Sequence, residues 1–359
     1  MDSAASDVEF ALIGHQDCWE KIGSFVNFLR HNLNGAIIPN EKIAEVYSYF
    51  PPRTLFDIEV KSITGKIARG KYIETFISPD ELNLKYWKNN ISKVNGAAKC
   101  ASEMKAHIVT LGGFTSIVLE GRVDSLNENS YTKFTTGNSL TAAFIVKNIE
   151  KACLHFDKKL KAQSLLIIGS TGDIGSACVA YFSNKVNKLL LCARQQNVIM
   201  QQEKILSENS INAKASTSVE TLLPEADIII AIASSLIENF DHALCKNEVI
   251  ICDAGYPKNL GCKLPGNLNE RMFCGGMGIV NAGYHFTPDF HDNIYDFPDK
   301  NIAHGCLLEA IVLALENKQI AYSTGKGNIT PEKIGAIYEM AQKHGITEAP
   351  FFNTNGLWK

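Results

Sequence analysis

The sequence predicts an α/β fold in which a C-terminal domain is built on a parallel sheet and an N-terminal domain is mixed α/β. Two patterns lead to this prediction. After residue 161, short continuous apolar runs alternate with helical patterns, which is typical of parallel strands covered by helices on both faces. Before residue 139, two apolar runs flank a turn at 64–66 and predict paired strands, followed by a helix and further strands. The length of 359 residues is sufficient for two domains that each bury a core.

The N-terminal domain is predicted to span residues 1–138. Residues 1–50 show no regular pattern. Strands are predicted at 56–60, 71–77, 107–111 and 116–120. A helix is predicted to begin at Ser78 and to run toward Ala106, because Ser78 and Glu81 have the spacing of a capping box.

A helix predicted at 139–160 leads into the second domain, with Ser139 as its N-cap. The second domain is predicted to span residues 161–300, and C-terminal helices are predicted within 301–359. The predicted strands are 165–168, 188–192, 226–233 and 248–252. One helix is predicted to follow the first strand and to end near residue 184. Further helices are predicted at 198–208, 301–316 and 331–344. These elements alternate in the order that a parallel sheet requires.

The composition excludes several classes of protein. Charged residues make up 20% of the chain and the net charge is −3, which gives no reason to expect nucleic acid as a partner. The ten cysteines include no C-x-x-C pair, which argues against a disulfide framework or a zinc site and for a reducing compartment. The N-terminus is not a secretory signal, and the apolar run near 228–237 is too short to span a bilayer. We therefore expect a cytoplasmic protein with no transmembrane segment.

A glycine-rich loop follows the predicted strand 165–168 and opens the next helix. Its residues are Gly169, Ser170, Thr171, Gly172, Asp173, Ile174 and Gly175. Glycines allow the backbone to approach a phosphate, and the helix N-terminus offers free N–H groups. The spacing is G-x-x-G-x-x-G, a variant common in NADP-linked Rossmann proteins. A purely structural turn is the weaker alternative in this strand–loop–helix context, so we predict that the loop binds a dinucleotide.

The end of the second strand predicts which dinucleotide binds. Sites for NAD usually place an Asp or Glu there to bind the ribose 2′-hydroxyl, whereas this chain has Arg194. An arginine favours the 2′-phosphate of NADPH through a charge-assisted contact. A solvated surface arginine is the alternative. The sequence therefore predicts NADPH as the cofactor.

Two further segments are expected at the carboxyl edge of the same sheet, where ligands of open α/β sheets bind. Ala233 and Ser234 follow the isoleucine-rich strand and are predicted to contact the cofactor. Tyr256 and Lys258 follow the next strand and could donate hydrogen bonds to a substrate carbonyl or a phosphate. An ordinary turn with a solvated lysine explains the second segment equally well.

Several segments, taken together, resemble one family. They are 12–15 (LIGH), 60–66 (VKSITGK), 70–74 (GKYIE), 111–117 (LGGFTSI), 134–138 (FTTGN), 169–176 (GSTGDIGS), 255–259 (GYPKN) and Cys306 with Glu309 and Ala310. In this order they resemble the long-chain acyl-[acyl carrier protein] reductases best known from cyanobacteria. The resemblance covers roughly residues 55–345, and within residues 1–50 only 12–15 match. Residues 278–298 and the extreme C-terminus depart from the pattern.

The resemblance implies a reaction and its participants. A fatty acyl thioester, carried on acyl carrier protein or coenzyme A, would be reduced to the aldehyde with NADPH. A cysteine of the family takes the acyl group first, and the matching position is Cys306. The resemblance also implies dependence on Mg²⁺, for which the sequence offers no cluster of ligands. In cyanobacteria the aldehyde passes to an aldehyde-deformylating oxygenase, so such a partner is implied as well.

The chemistry of Cys306 fits this role. A thiolate attacks a thioester readily, and Cys306 is predicted in or near the first turn of helix 301–316, whose N-terminus would lower the pKa of the thiol. The apolar surroundings by themselves favour a buried inert cysteine. Glu309 shares the helix face of Cys306 and could relay a proton or make a structural hydrogen bond. His304 could act as a base only if the helix begins after it.

An acidic carrier protein requires a basic docking surface. The helix predicted after Ser78 carries Lys85, Lys88 and Lys99, which could share one face, together with Lys93 and Lys105. An ordinary solvated face is the alternative.

Two other functions are compatible with the fold. A shikimate-dehydrogenase-like or glutamyl-tRNA-reductase-like oxidoreductase also joins an α/β domain to an NADP-binding domain, and likeness of fold cannot exclude it. A non-catalytic sensor or scaffold would bind NADPH without turning over any thioester.

Overall fold

The computed structural model describes residues 8–16, 18–32, 34–119, 123, 126, 131–234, 237, 240–256, 258–289 and 297–358. The chain forms two compact units. The first comprises Met1–Gly137, Val280–Gly325 and Met340–Ile346, and the second comprises Asn138–Ile279, Lys326–Glu339 and Thr347–Lys359. The predicted segments 1–138, 139–160, 161–300 and 301–359 divide the chain differently, because residues 280–325 return to the first unit.

Strands and helices alternate along the described part of the chain. In chain order, the strands are β1 (Phe10–Gly14), β2 (Arg53–Lys61), β3 (Ile67–Glu74), β4 (Ile108–Leu111), β5 (Lys133–Thr135), β6 (Ser164–Ile168), β7 (Lys188–Cys192), β8 (Ala213–Ser216), β9 (Ile228–Ala231), β10 (Ile250–Asp253), β11 (Met272–Cys274), β12 (Met277–Val280), β13 (Tyr284–Thr287), β14 (Ile302–His304), β15 (Ile346–Glu348), β16 (Phe352–Asn353) and β17 (Gly356–Leu357). The helices are α1 (Trp19–Asn32), α2 (Asn40–Tyr47), α3 (Trp87–Glu103), α4 (Phe114–Val118), α5 (Asn138–His155), α6 (Asp173–Phe182), α7 (Gln196–Glu208), α8 (Gly305–Leu315) and α9 (Pro331–Lys343).

The first unit contains a mixed six-stranded sheet in the order β13-β2-β3-β1-β4-β5. Strands β3, β1, β4 and β5 are parallel, whereas β2 and β13 form an antiparallel edge. Helix α8 packs against β1, β3 and β4. Its residues are apolar nearly all round, as expected of a helix enclosed on every side. The first unit is thus a mixed α/β domain, as predicted.

The second unit contains a six-stranded sheet in which every pairing is parallel, in the order β11-β10-β9-β6-β7-β8. When β6 to β11 are numbered 1 to 6 and the sheet is read from β8, the strand order is 3-2-1-4-5-6, which is that of the doubly wound Rossmann fold. The strand residues Leu166, Leu190, Ile229 and Ile251 are fully buried and form the core. The predicted Rossmann fold is therefore confirmed.

The predicted helix start at Ser78 is wrong. Ser78 makes no capping hydrogen bond, and the chain forms only two short 3-10 turns, Pro79–Glu81 and Leu84–Tyr86, before α3 begins at Trp87. The buried side chain of Asn90 donates to the carbonyl groups of Glu81 and Asn83 at 2.9 and 3.3 Å. These bonds satisfy backbone groups outside a helix, so a continuous helix is not required.

The strand predicted at 116–120 is wrong as well. Residues Phe114–Val118 form the short helix α4, and Glu120 lies outside the described residues. The hydroxyl groups of Thr115 and Ser116 donate to the carbonyl groups of Gly112 and Gly113 at 2.8 and 2.9 Å. Such backward bonds occupy the carbonyl groups at the start of a helical turn. A five-residue apolar pattern cannot distinguish this turn from a strand.

Residues 1–50 contain more regular structure than their pattern predicts. They include β1, which lies between β3 and β4 and is completely buried, and helices α1 and α2. The side chains of Ile22, Val26 and Ile43 pack the two helices together. Strand β1 is only five residues long, so its identity comes from pairing with neighbours on both sides.

Candidate active site

In the first unit, the carboxyl ends of β1, β3, β4 and β5 lie along one edge of the sheet, because these strands are parallel. The residues that follow these ends are His15, Thr75, Gly112 and Thr136. Cys306 lies at the same edge, since the hydroxyl of Thr110 in β4 donates a hydrogen bond to the carbonyl oxygen of Cys306 at 2.7 Å. This edge is where open α/β sheets bind their ligands.

Cys306 is the second residue of α8 and is partly exposed. The backbone N–H groups of Gly113, Leu307 and Cys306 itself lie near its sulfur. Burial raises the pKa of the thiol above its ordinary value, and the nearby carboxyl of Glu309 adds to the rise, while the three backbone N–H groups oppose it. The predicted place of Cys306 in the first turn is confirmed. The predicted lowering of its pKa is wrong, because desolvation outweighs the N–H groups.

The start of α8 is fixed by close backbone packing. A side chain at Gly137 would place its Cβ 2.2 Å from the carbonyl oxygen of Cys306. Only glycine leaves room for this approach, which explains the glycine of the FTTGN segment. Helix α8 begins at Gly305, so His304 is its N-cap rather than a helical residue. The helix thus begins after His304, as a role of His304 as a base requires, and that role stays a prediction.

Glu309 lies one turn along α8 from Cys306 and is fully buried. Its carboxylate accepts a hydrogen bond from the hydroxyl of Thr135 at 2.5 Å. The hydroxyl of Ser323 lies 2.8 and 2.9 Å from the two carboxylate oxygens. Burial, with a smaller contribution from Glu309, raises the pKa of Tyr322 to about 12. The observed bonds match the structural alternative for Glu309, and the proton relay stays a prediction.

The glycine loop of the second unit follows β6, next to β9, where the strand order reverses. Gly169 has a φ of +93°, and a Cβ there would lie 2.7 Å from the carbonyl oxygen of Ile232. A Cβ at Gly175 would lie 2.0 Å from the carbonyl oxygen of Gly169. Both positions therefore require glycine, one for the turn and one for the contact of helix α6 with the loop.

The other loop residues divide into accessible and enclosed ones. Gly172 is exposed, and Thr171 and Ile174 are partly exposed. Ser170 is fully buried: its hydroxyl donates to the side chain of Gln202 at 2.9 Å, and the amide of Gln202 donates back to the Ser170 carbonyl at 3.0 Å. Gln202, which the sequence pattern did not single out, thus holds the loop in shape.

Asp173 begins helix α6 and is buried. The side-chain amide of Asn138 donates to its carboxylate at 2.7 Å. Arg194 lies just beyond the end of β7 and is exposed, as a residue reaching for a 2′-phosphate needs to be. Helix α7 begins two residues later, at Gln196, with its free N–H groups toward the same end.

The segments after β9 and β10 are tied together by Asn259. Its side-chain oxygen accepts from the backbone N–H of Ala233 at 2.8 Å, and its amide donates to the Ala233 carbonyl at 2.9 Å. Buried Asp253 in turn accepts from the backbone N–H groups of Asn259, Leu260 and Cys262 at 2.8 to 3.0 Å. The GYPKN segment contains Asn259 but does not indicate this role, because the contact joins residues 26 positions apart.

The remaining predicted residues of this edge have mixed surroundings. The ammonium of Lys258 donates to the backbone carbonyl groups of Asp253 and Gly275 at 3.1 and 3.0 Å. Tyr256 is partly exposed and Ser234 is exposed. Their predicted contacts with cofactor or substrate stay predictions.

The sequence match decides the family. The chain is 32% identical over 313 residues to the long-chain acyl-[acyl-carrier-protein] reductase of Synechococcus elongatus, an alignment that covers 84% of this chain and 89% of that protein. The chain belongs to the long-chain acyl-[acyl-carrier-protein] reductase family. The resemblance that its motifs indicate is therefore confirmed.

Further similarities of this reductase lie at lower sequence identity. It is 26% identical over 252 residues to the aminotransferase PigE of a Serratia species, covering 68% of this chain and 28% of that protein. No family model matches the chain. Among solved structures, L-tryptophan dehydrogenase from Nostoc punctiforme covers 97% of this chain and 86% of its own at 11% identity and a TM-score of 0.40. Shikimate dehydrogenase from Aquifex aeolicus covers 70% and 80% at 10% identity and a TM-score of 0.33. Such scores carry no argument about function.

The described part of the reductase offers no fitting ligand set for the implied Mg²⁺. Within it, no group of three or more His, Cys, Asp or Glu side chains could hold a metal ion, so no step of the reaction is assigned to one. No helix in the same part is long and apolar enough to cross a membrane.

One cysteine expectation fails in this reductase. Cys262 and Cys274 form a disulfide, although the sequence argued against such bonds. The two residues are 12 positions apart. Asp253 of β10 pairs with Cys274 of β11 and also accepts a hydrogen bond from the N–H of Cys262, which brings the two cysteines together. Because the bond depends on strand pairing, the absence of a C-x-x-C motif could not exclude it.

Proposed function

We propose that this protein reduces a long-chain fatty acyl thioester to the aldehyde, using NADPH, through an acyl group held on Cys306. The observation that carries the proposal is the placement of Cys306, at a helix start on the carboxyl edge of the sheet, with backbone N–H groups near its sulfur. Membership of the reductase family supports the same substrate class.

The proposed reaction has two stages. First, the deprotonated sulfur of Cys306 attacks the thioester carbonyl carbon, and the carrier leaves as its thiol after taking up a proton. The acyl carbon on Cys306 then accepts a hydride, which is the chemistry that NADPH would supply when bound. The resulting tetrahedral alkoxide on Cys306 re-forms its carbonyl group and breaks its carbon–sulfur bond, which releases the aldehyde and restores the thiolate. The N–H groups of Gly113 and Leu307 stabilise the negative sulfur before and after the reaction.

The second unit carries residues that fit NADPH. The loop Gly169 to Gly175 would hold the phosphates with its backbone, since the glycines keep side chains out of the approach and Gly172 is exposed. Arg194 would bind the 2′-phosphate. Ala233, which Asn259 holds in place, and Ser234 would border the nicotinamide half.

The preference for NADPH over NADH is expected to depend on Arg194. The Arg194→Ala variant should bind NADPH roughly 10- to 100-fold more weakly, because a charge-assisted contact with the 2′-phosphate is lost. Its affinity for NADH, which lacks that phosphate, serves as the internal control and should change less than about twofold. Titration of both nucleotides by fluorescence measures the ratio. An unchanged ratio would show that Arg194 is only a surface residue.

The carrier is proposed to be acyl carrier protein or coenzyme A. Lys85, Lys88 and Lys99 are exposed, but the prediction that one helix carries all three is wrong, because Lys85 lies in the 3-10 turn Leu84–Tyr86 before α3. The ammonium of Lys99 lies 3.8 Å from the carboxylate of Glu103, so Lys85 and Lys88 are the better candidates to meet an acidic carrier. Lys93 does not belong to that surface, because its ammonium donates to the carbonyl groups of Ser48 and Phe50 at 3.0 and 2.6 Å. Transfer of the aldehyde to an aldehyde-deformylating oxygenase and a cytoplasmic location stay predictions.

The proposed function is tested by NADPH oxidation with palmitoyl-CoA and with palmitoyl-acyl carrier protein, combined with detection of hexadecanal. Oxidation of NADPH with formation of aldehyde is the expected result. Reduction coupled to shikimate formation from dehydroshikimate would instead support the shikimate-dehydrogenase-like alternative. Binding of NADPH without turnover of either thioester would support the sensor.

A further inference from the structure

The segment 112–114, which presents the Gly113 N–H to the Cys306 sulfur, is bound by a side chain from the neighbouring strand connection. Nε2 of His15 lies 3.1 Å from the backbone nitrogen of Phe114. A backbone N–H can only donate, so Nε2 is the acceptor of this bond. The other ring nitrogen, Nδ1, lies 3.4 Å from the carbonyl oxygen of Gln16 and is the nitrogen that carries the proton. The imidazole is therefore neutral in this arrangement.

The N–H of Phe114, which binds His15, belongs to the residue that directly follows Gly113, whose N–H lies near the Cys306 sulfur. Gly113 has φ +56° and ψ −125°, a backbone conformation that glycine adopts far more readily than other residues. A glycine in this region rotates easily unless its neighbours are held. Because His15 fixes the Phe114 N–H and packs edge-on against the Phe114 ring, it limits that rotation. The direction of the Gly113 N–H follows from this restraint.

His15 is itself held by the strand ends around it. The side-chain amide of Gln16 lies 3.5 Å from the carboxylate of Glu74 and 3.4 Å from the hydroxyl of Tyr72. The Tyr72 hydroxyl donates to the same carboxylate at 3.2 Å. The connection after β1 is thus tied to β3 on one side, and through His15 to the segment after β4 on the other.

We propose that His15 is a positioning residue of the Cys306 site: its neutral ring accepts the Phe114 N–H and so keeps the Gly113 N–H on the Cys306 sulfur. The proposal rests on the proposed role of Cys306 as nucleophile. In this role His15 acts through the backbone, by way of the Phe114 N–H. Its function is to limit the rise in the pKa of the Cys306 thiol that burial causes.

Two conservative variants separate this role from mere packing. A glutamine at position 15 can place its amide oxygen near the position of Nε2 and keep the bond to Phe114, whereas an asparagine reaches only as far as Nδ1. The rate of alkylation of Cys306 by iodoacetamide is measured between pH 6 and 10, without NADPH or thioester, with the modified peptide identified by mass. We expect His15→Asn to slow alkylation at pH 7 roughly three- to tenfold and to move the profile to higher pH. His15→Gln should stay within about twofold of wild type.

The result that overturns the proposal is a wild-type profile for His15→Asn, or equal shifts in both variants. Cys100, which is partly exposed on α3, provides the internal control and should react at the same rate throughout. Should His15→Asn fail to fold, Gly113→Ala takes its place, because it leaves His15 intact and strains the same turn. A wild-type pH profile of Cys306 alkylation in Gly113→Ala would also contradict the proposal. The alkylation needs no reductase activity, so its result is independent of whether the protein reduces a thioester. A failure of this proposal can therefore be distinguished from a failure of the proposed function.

Discussion

The Cys306→Ser variant is expected to form no covalent acyl adduct with palmitoyl-CoA and to produce aldehyde at least roughly 10³-fold more slowly than wild type. A serine hydroxyl at this place is a far weaker nucleophile than a thiol, because it releases its proton at a much higher pH. The side chain is nearly the same size, so the bonds from Thr110 to the backbone and the packing of α8 are retained. Intact-protein mass spectrometry detects the adduct, and a coupled assay detects the aldehyde.

A matched variant controls for the loss of any cysteine. Cys100→Ser removes a partly exposed thiol of α3 and should keep both adduct formation and turnover. An acyl adduct on a cysteine other than Cys306 would contradict the proposed nucleophile. NADPH binding should be unchanged in both variants, which separates a chemical defect from a folding defect.

The Glu74→Gln variant is expected to be more stable than wild type at pH 8, by up to about 3 kcal/mol, and similar to it near pH 4.5. Burial raises the pKa of Glu74 from 4.5 to about 7, against opposing hydrogen bonds from Phe76, Gln16 and Tyr72. Between those two values the folded protein keeps a proton that the unfolded chain has released. The stability of wild type therefore falls, relative to the neutral variant, as the pH rises from 4.5 through 7, and the difference then levels off.

Urea unfolding at pH 5, 6, 7 and 8 measures this difference. The backbone N–H of Phe76, which lies 3.0 Å from one carboxylate oxygen of Glu74, can donate equally well to a glutamine oxygen. Glu41→Gln, which changes an exposed carboxylate of α2, serves as the control and should show little dependence on pH. A stability difference for Glu74→Gln that is constant from pH 5 to 8 would show that Glu74 does not titrate in this range.

Sequence reasoning was most successful in the second unit. There the information is local: buried parallel strands appear as continuous apolar runs, and the glycine loop follows its strand directly. Strand β7 was predicted with its observed bounds, and helices α5 and α7 within a few residues. The place of Arg194 beyond β7 followed from the same local order.

The same reasoning was less successful in the first unit, where strand β1 and helices α1 and α2 were missed. A five-residue strand has too few residues to show a period, and its pairing partners lie about 60 and 98 positions away along the chain. The helix predicted from Ser78 failed because the side chain of Asn90 holds the preceding segment in turns. Contacts of this kind leave no local signature.

What the sequence determined by itself was the class of fold, the dinucleotide loop and, through its motifs, the family and the cysteine to examine. Only the tertiary structure decided what surrounds that cysteine. Residues 280–325 return to the first unit and bring Cys306 to the carboxyl edge of its sheet, where Thr110, 196 residues earlier in the chain, binds the Cys306 carbonyl. There burial raises the pKa of the thiol, and the Gly113 N–H counters it. Burial and hydrogen bonds between distant residues set the reactivity of Cys306, and both arise only when the chain is folded.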